Sequence, residues 1–298
     1  MSKKQLKYII KNLGLSVGFN EIGIAMPDVS VIAPCFLDWL KQGYCGSMDY
    51  LNNHCGKRLD PKKLMPNVKS IICCSLNYLA LDHETPTHIA KYALGRDYHQ
   101  VMHHKLKNFA AKITAKIGTF HYRVFCDSAP VLEKYLAQKA GLGWIGKNTL
   151  LINPQLGSYC FLGFIFTDLD LASDTPIKPR CGKCNRCLNA CPTRALTAPY
   201  KLDARRCLAY LTIEHKDDFS EKIPSKTVFG CDICQQICPW NRFGKTTTET
   251  DFMPLSHWLN STIDELKQWD EATFNKNTAG TALSRLDYKQ WKRNLSKI

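Results

Sequence analysis

Cys181-Gly-Lys-Cys184-Asn-Arg-Cys187-Leu-Asn-Ala-Cys191-Pro192 decides how this chain is read. Its C-x2-C-x2-C-x3-C-P spacing is that of bacterial-type ferredoxins. Three thiolates at that spacing wrap one face of an iron–sulfur cube, and the fourth, followed by proline, leaves the turn for a second cube. Downstream, Cys231-Asp-Ile-Cys234-Gln-Gln-Ile-Cys238-Pro239 echoes the run, with Cys207 between the two. These eight cysteines suffice for two 4Fe-4S clusters. The crossed pattern assigns Cys181, Cys184, Cys187 and Cys238 to one, and Cys191, Cys207, Cys231 and Cys234 to the other. Paired four-cysteine zinc sites are the competing reading, but those join separated C-x2-C knuckles, not three cysteines in series. Disulfides fit least, because the start of the chain does not read as a secretory signal.

Outside that region, the seven cysteines before residue 181 lack ligand spacing and read as small buried hydrophobes. The 298 residues, 45% of them hydrophobic, allow about two domains with real cores. A net charge of +14 points to a polyanionic partner, nucleic acid or an anionic membrane surface, against the plainer reading of a lysine-rich solvated surface. No run approaches the ~20 apolar residues of a membrane span. The densest, Tyr159–Phe166, has strand length. A cytoplasmic protein without a membrane partner is expected.

The spacing predicts an amphipathic helix over 3–13, a helix near 36–42, a buried strand over 68–78, a long helix over 98–117 and a strand over 120–125. Asp127-Ser-Ala-Pro130 opens a helix to about Ala140, with Asp127 a possible N-cap, and Gly141 ends it. Residues 149–152 and 158–168 read as a hairpin around Asn153–Gly157. A short helix is expected over 208–215, and further helices over 262–269 and 286–295. Strands and helices mix without βαβ alternation, so the fold class is α+β. The divisions expected are an α+β domain over 1–174, a ferredoxin-like two-cluster domain over 175–243 and a short helical tail over 244–298. A bare two-cluster carrier needs only the middle part, so the first domain should hold whatever the electrons reach.

Three stretches there look like site material: Tyr92-Ala-Leu-Gly-Arg-Asp-Tyr-His99, Phe125-Cys-Asp127-Ser-Ala-Pro-Val-Leu-Glu133 and Gly141-Leu-Gly-Trp-Ile-Gly-Lys-Asn-Thr149. The glycines of the third follow a helix and not a strand, so no dinucleotide loop is read there. Together with Asp203-Ala-Arg-Arg-Cys207-Leu-Ala-Tyr-Leu-Thr-Ile-Glu214 and Phe229–Arg242, they resemble the epoxyqueuosine reductases, in order from about residue 5 onward. The resemblance implies a cobalamin-dependent iron–sulfur enzyme that reduces epoxyqueuosine to queuosine at the tRNA wobble position. It implies Asp127 as proton donor. It also implies Arg58, Asp97, Tyr98, His99, Asp127, Lys147, Asn148, Thr149, Ser158 and Tyr210 as cobalamin contacts. The partners it implies are tRNA and an external electron donor, with the chain a monomer. Many members continue past a Trp-Leu-Arg-Asn segment into helical repeats; here the corresponding stretch is Trp291-Lys-Arg-Asn294.

A carboxylic acid beside an epoxide can protonate the oxygen as the ring opens, which near neutral pH calls for a raised pKa. A corrinoid dehalogenase acting on a small molecule, a ferredoxin-type carrier and a zinc-stabilised RNA-binding module are the alternatives. A corrin spectrum, metal analysis and turnover of modified tRNA separate them.

Overall fold

The computed structural model describes residues 1–82, 87–220, 222–223 and 226–298. In chain order its larger unit contains strands β1 (Glu21–Ala25), β2 (Ser70–Asn77), β3 (Tyr122–Phe125), β4 (Trp144–Ile145), β5 (Leu151–Ile152) and β6 (Cys160–Thr167). Four of them form an antiparallel sheet ordered β1-β2-β6-β3. Every residue of β2 is buried, because both faces of the sheet are covered. The two-residue pleat sorts the side chains. Ile72, Cys74, Leu76, Phe161 and Ile165 face one core with the Lys3–Ser16 and Tyr98–Ile117 helices. Ile71, Cys73, Phe164 and Phe166 face the other, with the Glu133–Lys139 helix.

The expected hairpin is corrected. β6 pairs along its length with β2 and β3, while β5 pairs with the short β4. An apolar run that can bury both faces gains more at the centre of a sheet than in a two-residue ladder. Only the tight Asn153–Gly157 bridge remains of the predicted turn. The helix expected from Asp127 begins at Glu133 with no side-chain cap, and Asp127 itself has φ 57°. Cys35 is exposed, unlike Cys45, Cys73, Cys74 and Cys126.

Residues 244–298 do not behave as a tail. Trp258, Leu266, Phe274, Leu283, Trp291 and Leu295 form one core with Ile89, Ala93 and Leu94 of the first unit and Val228 and Phe229 beside the cysteine runs. Apolar residues spaced along short helices need a partner surface, and these find it on both neighbours. Hydrogen bonds seal the junction: Arg96 N–H to the Asp251 carbonyl and Asp97 N–H to that of Gly280, both 2.8 Å.

Candidate active site and cluster sites

Asp97 caps the Tyr98–Ile117 helix by accepting from the His99 amide at 3.0 Å. This cap sets the next two side chains facing the 126–133 loop. Tyr98 O–H donates to Asp127 Oδ2 at 2.5 Å, and His99 Nε2 lies 3.1 Å from the same oxygen. His99 Nδ1 lies 2.7 Å from Asp97 Oδ1, so the imidazole is held between two carboxylates. Hydrogen bonds to Asp127 and then Asp97 outweigh burial and raise His99 to about 9. At neutral pH it is an imidazolium with both N–H groups donating.

Asp127 carries the main correction to the sequence reading. Burial pushes its pKa up, but the hydrogen bonds from His99 and Tyr98 win, and it lies below the ordinary value. It is therefore a carboxylate in this arrangement, not the raised acid expected. Its side chain is 47% exposed, open to a ligand. Its left-handed backbone, tolerable for aspartate, is held by its amide donating to Glu133 Oε1 at 2.7 Å. Burial and the Asp127 charge push Glu133 up to about 8. Two groups beside Asp127 thus hold protons at pH 7 while Asp127 does not.

Arg58 reaches this site from the chain's other side, donating to the Val131 carbonyl at 3.1 Å. Its Nε is buried and has no hydrogen-bond partner among the described residues, leaving a donor free for a ligand. Arg285, ion-paired to Glu214 at 2.8 Å, adds positive charge that helps hold Asp127 down. Neither Arg285 nor Glu214 was singled out in the sequence. Glu214 closes a quoted stretch, but Arg285 has no spacing signal and arrives only because the C-terminal helices pack here.

The other expected cofactor contacts are placed differently. Lys147 Nζ donates to the carbonyls of Gly182 and Cys184 and to Asn185 Oδ1 at 2.8–2.9 Å, so its ammonium serves the first cysteine turn. Asn148 Nδ2 reaches the Cys234 carbonyl at 3.3 Å, and the Thr149 carbonyl accepts from Lys134 at 2.8 Å. Ser158 is buried, bonded to Gln235 and Asn241. The Tyr210 hydroxyl is engaged by the Ser47 amide and hydroxyl. Ser158 and Tyr210 thus join segments of the interior.

Cys181, Cys184, Cys187 and Cys238 line one cavity of about 300 Å³. The other four also group together: burial raises the Cys231 thiol to about 12, and charge on Cys207 and Cys191 adds to it. Cys234 is raised by burial and by Cys231 and Cys207. Among the described residues no three such side chains are drawn tightly enough round a single ion. Thiolates spread round a cavity suit a four-iron cube, where each binds a different iron. Amide N–H groups aimed at sulfur stabilise the charged form: Ala195 to Cys191 at 3.3 Å, Trp240 and Asn241 to Cys238, and Ile233 to Cys231. The Trp144 indole N–H, fully buried in a cluster with Cys238 and Cys181, has no hydrogen-bond partner among the described residues. The donor set therefore fits two clusters.

Asp232, between Cys231 and Cys234, accepts from the Lys91 amide at 2.7 Å, and the adjoining Tyr92 ring packs 5.9 Å from that of Tyr98, the partner of Asp127. The set containing Cys234 is thus the inner one, on the Asp127 side, and the set containing the exposed Cys184 is the outer one.

Comparison with known proteins agrees with this layout. Residues 58–128 match the family described as Epoxyqueuosine reductase QueG, DUF1730, and residues 180–241 match a 4Fe-4S double cluster binding domain. The chain is 43% identical to the epoxyqueuosine reductase of Pseudomonas aeruginosa, over 98% of this chain and 84% of the relative. A solved epoxyqueuosine reductase holding a tRNA-Tyr epoxyqueuosine-modified stem loop superposes with TM-score 0.86 at 26% identity, over 98% of this chain and 80% of the other. A catabolic reductive dehalogenase, NpRdhA, shares the fold at TM-score 0.54 and 18% identity, over 83% of this chain and 33% of the dehalogenase. The chain belongs to the epoxyqueuosine reductase family.

Proposed function

We infer that this chain reduces epoxyqueuosine to queuosine at the wobble position of tRNA. In that reaction the epoxide takes up two electrons and two protons, both C–O bonds break, a C=C bond forms, and the oxygen leaves as water. The observation that carries the reading is the adjacency of Asp127 and its proton-holding neighbours to the inner cysteine set through Tyr98, Tyr92 and the Lys91–Asp232 hydrogen bond. When bound, the clusters supply single electrons and cobalamin a cobalt centre that can act on the epoxide.

The residues that would hold cobalamin are those around the Asp127 recess: Arg58 with its unused buried donor, Tyr98 and His99, and the 147–149 turn on the cluster side. Asp127 is proposed to pass the proton to the epoxide oxygen. A ligand that excludes water from this open carboxylate removes its solvation, which raises its pKa, and the His99 imidazolium is in place to supply the proton. Asp97 orients His99, and Glu133 holds the Asp127 backbone.

The partners proposed are tRNA, supported by the stem loop in the solved relative and by the +14 charge, and an external electron donor. The test is anaerobic turnover of epoxyqueuosine-containing tRNA by reconstituted protein with cobalamin and reductant, read by nucleoside mass spectrometry. Queuosine should appear only with cobalamin present; none forming from cluster-replete, cobalamin-loaded protein would reject the reading.

A further inference from the structure

We propose that the surface over the outer cysteine set is the docking site of an acidic one-electron carrier protein. The proposal rests on the reductase reading, in that it takes the clusters to be electron-transfer groups.

Electrons must enter at the cluster most open to solvent and farthest along the path from the reacting site. Asp232, between Cys231 and Cys234 of the inner set, accepts from the Lys91 amide at 2.7 Å, and the adjoining Tyr92 ring packs 5.9 Å from that of Tyr98, which bonds Asp127. The neighbouring Lys147 and Asn148 side chains reach the Cys184 and Cys234 carbonyls, so the two sets are adjacent. The order is therefore outer set, inner set, Asp127 recess. In the outer set Cys184 is exposed.

The surface around it has the character of a transient protein interface. Its cavity is rimmed by Arg180, Arg186 and Phe243. Phe243 is 67% exposed, with the Arg242 guanidinium 6.0 Å from its ring centre. Lys183 adjoins Cys184 and is exposed. Residues 178–206 carry eight Lys and Arg against one acidic residue, Asp203, which is already paired with Arg205 at 2.8 Å. A small apolar patch beside the redox group, ringed by the exposed charges of Arg180, Lys183, Arg186 and Arg242, matches a carrier whose own redox edge is ringed by carboxylates. Complementary charge speeds encounter without making the complex too tight to release.

The competing occupant is tRNA. Its modified nucleoside must enter the recess bounded by Asp127, Arg58 and Arg285, on the inner side of the path, so that face has a separate demand on it. The electron balance is simple. Each carrier molecule is oxidised by one electron as an oxidised cluster is reduced by one, and two encounters supply the pair that one epoxide consumes.

The experiment compares the anaerobically reconstituted holoprotein with a Lys183→Glu/Arg242→Glu variant. Both side chains are exposed; among the described residues Lys183 makes no side-chain hydrogen bond, and Arg242 has a long one, 3.5 Å, to the Pro239 carbonyl beside its contact with the Phe243 ring. Reduced bacterial flavodoxin, an acidic flavoprotein, is the probe, and cluster bleaching is followed by stopped flow without tRNA. The double reversal should slow the second-order rate roughly tenfold at low ionic strength, and the two proteins should converge at high salt. Cluster reduction by dithionite and tRNA affinity should be unchanged. A flavodoxin rate unaltered by the reversal overturns the proposal. So does a parallel loss of tRNA affinity, which would give this face to RNA, or a slower dithionite reaction, which would mean a damaged cluster. Phe243→Ala, with no change of charge, should slow electron transfer at all salt concentrations; an unchanged rate there also counts against the site. Normal docking in protein that never turns over tRNA would reject the reductase reading alone.

Discussion

At the scale of single residues, proton position dominates. His99 and Glu133 hold protons at neutral pH and Asp127 does not: hydrogen bonds from Tyr98 and His99 hold Asp127 down, the Asp127 bond raises His99, and burial followed by the Asp127 charge raises Glu133. Asp127→Asn keeps the shape and an acceptor for Tyr98 and His99 but cannot pass a proton. It should fold and keep both clusters, yet lose roughly 10²–10⁴ in single-turnover deoxygenation by prereduced enzyme; near-normal turnover would return Asp127 to a structural role. The pH dependence follows from the neighbours. Both have raised pKa values, about 9 for His99 and about 8 for Glu133, so the folded chain keeps protons that the unfolded chain has released. The sign is the same for both: the His99 contribution to stability is full below about 6.5 and drains through about 9, and that of Glu133 declines from about 4.5 to about 8. Single-turnover rates should accordingly fall in two breaks above neutrality. Glu133→Gln keeps the acceptor for the Asp127 amide and should remove only the lower break; a profile identical to wild type would show that Glu133 does not titrate in the active state.

Among elements, the cysteine turns and the packed sheet make distinct demands. Cys184→Ala should remove the outer cluster and Cys234→Ala the inner, each lowering iron from about eight to about four per chain on anaerobic reconstitution. Electron paramagnetic resonance separates the two variants, and loss of both clusters in either one would contradict two independent sets. In the sheet, Gly23 of β1 lies where an added Cβ would overlap the carbonyl oxygen of Ala140 at the end of the 133–139 helix. Gly23→Ala should therefore destabilise by about 1–3 kcal/mol in urea unfolding, because backbone has no rotamer with which to yield. The same helix carries Glu133 at its start, so this close packing is also what fixes the wall of the site.

For the whole molecule, the 244–298 region closes the site and does not trail from it. Arg293 donates to the carbonyls of His215, Asp217 and Leu211 and covers the Phe219 ring, so its charge serves the interior of this region. Arg293→Ala should lower stability by leaving those acceptors unpaired. Lys289 and Lys292 remain as surface charge, although Lys292 also reaches the Lys267 carbonyl at 2.8 Å. A Lys289→Ala/Lys292→Ala variant should fold normally and, if this face meets tRNA, bind it less tightly with a shallower salt slope through reduced counterion release. An unchanged affinity and slope would place the RNA contact elsewhere.

The sequence by itself determined the cluster chemistry, because ligand spacing within a short turn is a local property that no packing can alter. It also determined the two most regular elements, the 98–117 helix from its unbroken helical periodicity and the 70–77 strand from its short continuous apolar run. The stretches around Tyr98, His99 and Asp127 were legible as site material, but their proton states were not. Asp127 reads as an acid until Tyr98 and His99, nearly thirty residues away, are placed on its carboxylate. Tertiary structure alone decided that β6 goes to the sheet centre, that Ser158 and Tyr210 serve the interior, and that Arg285 comes within reach of Asp127. Each of these depends on contacts between segments far apart in the chain. The free energy of such a contact comes from the surface and charge of both partners, and neither partner's own sequence states what the other will be.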